Sequence, residues 1–246
     1  MASPPGWRSG RPSPHISALK DIALFKGLSE DALQEVLACG QTERLAKGAL
    51  AFRQGAPAET CHSLVHGRVK IAQTRPDGGQ FVIRFIGSGE MFGSVAALMG
   101  QPFPADATAV VDSIQFVWPI HVMRRLMMRH PDIAIRATTE LGARVQELQS
   151  RMAEMGATRV EQRIARGLVR LVRQAGRRTE VGIEIDFPIT RQDLAEMTGA
   201  TLHTVSRTLA AWEADGLIDS SRRRITVRRP HGLVVIAEDL PGARDD

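Results

Sequence analysis

The chain has 246 residues, 43% hydrophobic and 24% charged, enough for one large or two modest cores and too apolar for wholesale disorder. No stretch reaches the roughly 18 uncharged apolar residues of a membrane span, and the start, Met1-Ala2-Ser3-Pro4-Pro5-Gly6-Trp7, leads into no signal-peptide core, so a cytoplasmic chain without membrane contact is expected. Its formal charge of +5 rests almost wholly on arginine, with lysine only at Lys20, Lys26, Lys47 and Lys70; arginine's rigid fork of donors suits phosphates and guanine edges.

Residues 1–15, with Pro4, Pro5, Pro12 and Pro14, read as a tail. From Ile16 to Cys39 the apolar spacing is helical, and Ser29 before Asp31 and Ala32 reads as a helix start. Between Leu45 and Trp118 short β-prone runs alternate with glycine: Leu50–Phe52, Ser63–Val65, Val69–Ile71, Phe81–Ile86 and Ile114–Val117. Runs of this length predict an antiparallel sandwich or barrel, and Asp77-Gly78-Gly79 predicts a hairpin turn. The unit so defined spans 16–130. Pro131 then opens a helix over 131–156 on which Leu141, Val145, Leu148, Met152 and Met155 recur at steps of four and three. So narrow a stripe between polar flanks, Arg144 and Glu147 among them, reads as a coiled-coil seam between two copies, the alternative being a helix packed on its own domain.

Over 157–237 the pattern is helical and then strand-like. Thr158-Arg159-Val160-Glu161 fits a capping box opening a helix through Val172. A turn at Gly176-Arg177-Arg178, a strand at Ile183–Ile185, helices over 190–198 and 201–214 and strands at Leu217-Ile218 and Ile225–Val227 follow; Leu233–Ala237 is a strand-sized run, and 238–246 a second tail. Within 191–210 Ala195, Gly199 and Val205 stand at the spacing of a helix-turn-helix: a small residue where the helices cross, a glycine for the left-handed turn, and a β-branched residue to lock the crossing. Thr201, His203, Thr204, Ser206 and Arg207 would then be exposed on the second helix, with Leu202 either in the core or facing a thymine methyl. Hydroxyls and the helix start suit phosphates, and Arg207 suits guanine O6 and N7. Arg191 and Gln192, which open the first helix, are further DNA-contact candidates, and Arg222, Arg223 and Arg224 form a basic turn able to lie along the DNA backbone as a wing.

These residues resemble the cyclic-AMP receptor protein/fumarate-nitrate regulator (CRP/FNR) superfamily. The resemblance runs through Leu24–Leu28, Phe52–Ala58, His66–Ile71, Gly89–Gly93, His130–Ile133 and Thr190–Ala195, nearly the whole span from Leu24 to Val235. It implies an α+β chain: an antiparallel β-roll like a cyclic-nucleotide-binding domain, a long dimerisation helix and a C-terminal winged helix-turn-helix. It also implies a homodimer on palindromic double-stranded DNA with TTG/CAA half-sites, acting with RNA polymerase.

The departures concern the signal. Cyclic-nucleotide-binding members carry a Glu after the Phe-Gly pair and an Arg-Ser or Arg-Thr about eleven residues on; here Ser94 and Pro104-Ala105 stand there, and no Lys or Arg occurs from Phe85 through Met123. A buried cyclic phosphate would be poorly compensated, so no cAMP is expected. Cys39 and Cys61 fall short of an iron–sulfur ligand set, and no metal site is expected. What remains is an apolar, uncharged sensor pocket of Met91, Phe92, Val95, Leu98, Met99 and Phe103, holding a flat cofactor such as haem or collapsed and empty. Of the histidines, His15, His62, His66, His121 and His130 are haem-ligand candidates. Gln101–Ala105 and the reader Thr201–Arg207 resemble the nitric-oxide-responsive denitrification regulators NnrR and DNR, implying control of nitric-oxide-related genes. A constitutive or other-ligand regulator of the same superfamily is the alternative. No P-loop, nucleophile elbow or H-E-x-x-H supports an enzyme.

Overall fold

A computed structural model of the chain describes residues 16–157, 159–221 and 223–240, the side chains of Arg151 and of 153–157 excepted. The first expected tail, residues 241–246 of the second, Thr158, the Met155 side chain and Arg222 therefore lie outside the described residues. The first helical stretch is broken into α1 (Ile16–Lys20), a 3-10 turn (Ala23–Phe25) and α2 (Glu30–Ala38). Gly27, at φ +80°, takes the chain out of one axis, and the Ser29 hydroxyl accepts the Ala32 N–H at 3.3 Å to start the next.

Eight strands follow: β1 (Gln41–Leu45), β2 (Leu50–Phe52), β3 (Thr60–His66), β4 (Val69–Thr74), β5 (Gln80–Ile86), β6 (Met91–Phe92), β7 (Asp106–Ala109) and β8 (Ser113–Pro119). They form two antiparallel sheets, β1-β8-β3-β6 and β2-β7-β4-β5. The hairpin at Asp77-Gly78-Gly79 is there, its Gly79 N–H held by Asp77 Oδ1 at 2.9 Å. Three strands escaped the sequence pattern. β1 reads Gln-Thr-Glu-Arg-Leu and buries only Leu45; β7 reads Asp-Ala-Thr-Ala; β6 has two residues. Pairing with better formers holds them in place.

A short helix α3 (Ser94–Met99) interrupts the roll, and α4 (Ile120–Arg129) and α5 (Pro131–Ala157) close it. At 27 residues α5 is about 40 Å long. Trp118, fully buried, anchors the junction by donating its indole N–H to the Val36 carbonyl at 2.9 Å.

The C-terminal third comprises α6 (Val160–Ala175), β9 (Gly176–Thr179), β10 (Gly182–Ile185), α7 (Arg191–Thr198), α8 (Leu202–Ala214), β11 (Ile218–Ser221), β12 (Arg224–Val227) and α9 (Pro230–Glu238), with sheet order β11-β12-β10-β9. Four expectations need correction here. Helix α6 starts one residue late, the Arg159 N–H bonding to Gln162 Oε1 at 3.1 Å, and runs on to Ala175. Gly176–Arg178 belongs to β9 rather than to a turn, because its backbone pairs along β10. Residues 233–237 are helical: Pro230 sits in the first turn, where its fixed φ and missing N–H cost nothing, and the apolar run packs on α6. That helix also takes in Glu238, expected in the tail. No helix among the described residues is long and apolar enough to cross a membrane.

Candidate nucleic-acid interface and sensor chamber

The helix-turn-helix spacing has the predicted physical basis. Ala195 is buried at the crossing, Gly199 has φ +64°, and Val205 is fully buried beside Ile189, Leu194, Met197 and Leu209. Each helix starts on a threonine. The Thr190 hydroxyl accepts the Asp193 N–H at 3.0 Å, and that of Thr201 accepts the Thr204 N–H at 3.1 Å. Thr201 is thus a cap as well as an exposed residue.

The outer face of α8 presents Leu202, His203 and Arg207 to solvent, with Thr204 and Ser206 half-buried. Leu202, 48% exposed, is therefore not core. Arg207 and His203 make no intramolecular hydrogen bond or ion pair among the described residues, which leaves their donors free. The free amides at the start of this 13-residue helix add a partial positive charge beside them. Arg191 is less available, its Nη2 bonding Ser220 Oγ at 3.2 Å and lying 4.0 Å from Glu213; Gln192 is bridged to Glu196. In the wing, Arg223 is exposed at the tip, while Arg224 leans back on Glu184 at 3.5 Å.

The expected sensor residues divide between two cavities. Met91, Val95, Leu98 and Met99 line a chamber of about 270 Å³ between α3, α4 and α5, with Met123, Met127, Ala137 and Leu141. Phe103 and Val95 line a second, of about 260 Å³, inside the roll beside Gly93, Pro104 and Ala105. Phe92 is buried and lines neither. The rings of Phe52 and Phe103 stack at 3.8 Å beside Gly93, where even a Cβ would come within 3.0 Å of both.

The chamber is not uncharged. Arg144 of α5 borders both cavities, donates from Nη2 to the Met91 carbonyl at 2.8 Å, and has a buried Nε without a partner among the described residues. Desolvation pulls its pKa down, with Arg84 acting in the same sense and Glu90, Glu140 and Glu147 opposing. The sequence pattern places Arg144 on the polar flank of the seam; only the packing of α5 against β6 turns it inward. Glu90 and Glu140 border the same chamber, Glu90 bonding Arg84 at 2.7 Å.

No described histidine, cysteine or tyrosine borders either cavity. His62 is buried with both ring nitrogens engaged, Nε2 with the Thr60 hydroxyl at 2.9 Å and Nδ1 with Gln115 Oε1 at 3.2 Å; burial lowers its pKa to about 4. His130 pairs with Glu35 at 3.0 Å and thereby lowers that carboxyl's pKa; His66 and His121 are exposed, and His15 lies outside the described residues. A histidine-ligated haem does not fit this lining, and both cavities are smaller than the usual ligand pocket of about 300–1,000 Å³. Cys61, buried, has its thiol pKa pushed up to about 12 by desolvation, which leaves it inert.

On α5 the apolar stripe stands uncovered: Leu141, Val145, Leu148 and Met152 are 42%, 45%, 48% and 73% exposed. A roll bearing a cavity, a long helix with a bare apolar stripe and a winged helix-turn-helix with a free arginine together have the architecture of a DNA-binding protein.

Comparison with known proteins gives the same parts. Residues 42–130 match the family described as "Cyclic nucleotide-binding domain", and residues 162–236 the "Crp-like helix-turn-helix domain". The chain is 28% identical over 195 residues to the global nitrogen regulator of Synechococcus elongatus, covering 78% of this chain and 88% of that one. It is 23% identical over 200 residues to the CRP-like cAMP-activated global transcriptional regulator of Mycobacterium tuberculosis, covering 81% and 89%. The fold is that of FixK2 from Bradyrhizobium japonicum, with a TM-score of 0.71 at 21% identity over 80% of this chain and 96% of that one. This chain belongs to the CRP/FNR family of DNA-binding transcriptional regulators; its relatives are regulators rather than enzymes.

Proposed function

We propose that the chain works as a cytoplasmic homodimer that reads a palindromic duplex of TTG/CAA-type half-sites and presents RNA polymerase to the adjoining promoter. The observation that carries this reading is the free Arg207 on the exposed face of α8, on a chain whose dimer stripe is bare. One recognition helix touches too few base pairs for gene control, and a dyad places two in successive major grooves about 34 Å apart. Arg207 reads guanine, Ser206 holds register on phosphate, and His203 bears on the neighbouring base. Thr204 and the α8 amides take further phosphates, and Leu202 meets a thymine methyl. The target genes are those of denitrification and nitric-oxide handling, a reading supported by Gln101–Ala105 and Thr201–Arg207.

The effector is a small, largely apolar molecule in the chamber between α3, α4 and α5, with Arg144 facing its polar end. It is neither cyclic AMP, for whose phosphate Ser94, Pro104 and Ala105 offer no charged donor and Arg144, already bonded to the Met91 carbonyl, is the one cation among the described residues on the cavity's border, nor a histidine-bound haem. Ligand binding shifts activity only through unequal affinity for two arrangements of the chain. Selection of duplexes from a random pool tests the DNA reading: a dyad-symmetric consensus is expected, and an asymmetric one or none would overturn it. Calorimetry with cyclic AMP and visible spectra after incubation with haem test the effector reading; saturable heat, or a shifted Soret band of stoichiometric intensity, would overturn it.

A further inference from the structure

The outer face of the β4–β5 ribbon is not bare surface. Strand alternation sends Val69 and Ile71 into the roll, while Lys70 and Ala72 face the other way. Ala72, Val82 and Phe85 belong to the same buried cluster as Leu194, Ala195 and Val205 of the reading unit. Register pairs them across the ribbon, Lys70 with Phe85 and Ala72 with Val82. Phe85 lies 4.8 Å from Phe187, on which Arg68 also stacks at 4.5 Å, and the Phe85 carbonyl accepts from Gln174 Nε2 at 2.6 Å.

The directional element on this platform is an ion pair. Lys70 Nζ donates to Asp193 Oδ1 at 3.0 Å, with the side chains only 22% and 13% exposed. The other oxygen, Oδ2, accepts both the Thr190 N–H at 3.0 Å and the Thr190 hydroxyl at 2.6 Å. One carboxylate therefore closes the cap of α7 and ties that helix to the sensor sheet. Apolar contacts tolerate sliding; a part-buried, charge-assisted hydrogen bond sets angle and register.

We propose that Lys70 is a positioning residue for DNA reading: its clasp on Asp193 fixes α7, and α8 with it, relative to the dimer helix, so that two reading helices stand at the spacing of one palindrome. In the clasped arrangement the reading face of α8 is exposed, as contact with DNA requires. The proposal rests on the dimeric reading given under Proposed function.

The test uses full-length Lys70→Met, which keeps the stem and removes the charge, and Lys70→Arg, which keeps the charge. Each is titrated with the duplex selected by the wild-type protein, with the same duplex carrying one or two extra central base pairs, and with a single half-site. Lys70→Met should lose about tenfold on the palindrome, the scale of one charge-assisted hydrogen bond. It should lose little on the half-site and discriminate less between spacings, while Lys70→Arg stays near wild type. Amide exchange at Thr190 should quicken in Lys70→Met alone. Equal losses on palindrome and half-site would reduce Lys70 to a stability residue, and tighter binding by Lys70→Met would make the clasped arrangement the inactive one; either overturns the proposal. Should the wild type select no palindrome, the dimeric reading fails, and unchanged exchange at Thr190 would separately dismiss the clasp.

Discussion

Replacing Leu148 by Glu tests the bare stripe of α5 at its centre. Leu148 is 48% exposed in the single chain, so a partner helix has about half of the side chain left to cover. Fully burying a leucine contributes about 1.5–3 kcal/mol, which makes that half about 1 kcal/mol per chain and about 2 for the pair. At the dyad the two introduced carboxylates face each other, and their repulsion and desolvation add about 2 kcal/mol more. The dimer should weaken by about 4 kcal/mol, roughly a thousandfold in its dissociation constant. Sedimentation across a concentration series reads this directly. The pH dependence gives a second check: a seam carboxylate has its pKa raised in the dimer, so the dimer should recover as the pH falls below about 5 and the group protonates. A Leu148→Glu protein with unchanged dimer mass at micromolar concentration would refute the seam.

Three further outcomes are expected. Arg207→Ala should cost about 1–3 kcal/mol on the selected duplex and flatten preference at one guanine, with little loss on scrambled DNA; equal loss on both would make Arg207 a backbone anchor. Arg223→Ala should weaken all sequences alike and lower the slope of log affinity against log salt by about one, whereas Arg224→Ala, already leaning on Glu184, should change it less. His62 stays neutral in the fold down to about pH 4, whereas its unfolded counterpart takes a proton near 6.5. The unfolded state thus binds more protons in that window, and stability should fall by up to about 3 kcal/mol as the pH drops from 6.5 to 4. His62→Phe should flatten that part of a denaturation-versus-pH profile, and an unchanged slope would count against a buried neutral imidazole.

The helix-turn-helix was legible from the chain because its determinants are local. Ala195, Gly199 and Val205 act over ten residues, through steric room at a crossing and one left-handed turn, and neither depends on what packs outside. The α5 stripe was legible for the same reason, a periodicity along a single helix. Strands β1 and β7 were not, since Gln-Thr-Glu-Arg-Leu and Asp-Ala-Thr-Ala become strands only when β8 and β4 offer them hydrogen bonds. Nor was α9, whose apolar run is strand-like until Pro230 and the face of α6 select a helix. The candidate sensor site lay furthest from the sequence. Its charge comes from Arg144, some fifty residues beyond Met91, and reads as a solvated flank until α5 folds back over α3 and β6. The Lys70–Asp193 clasp spans 123 positions and depends on two separate elements meeting at one carboxylate, a juxtaposition that tertiary packing alone decides.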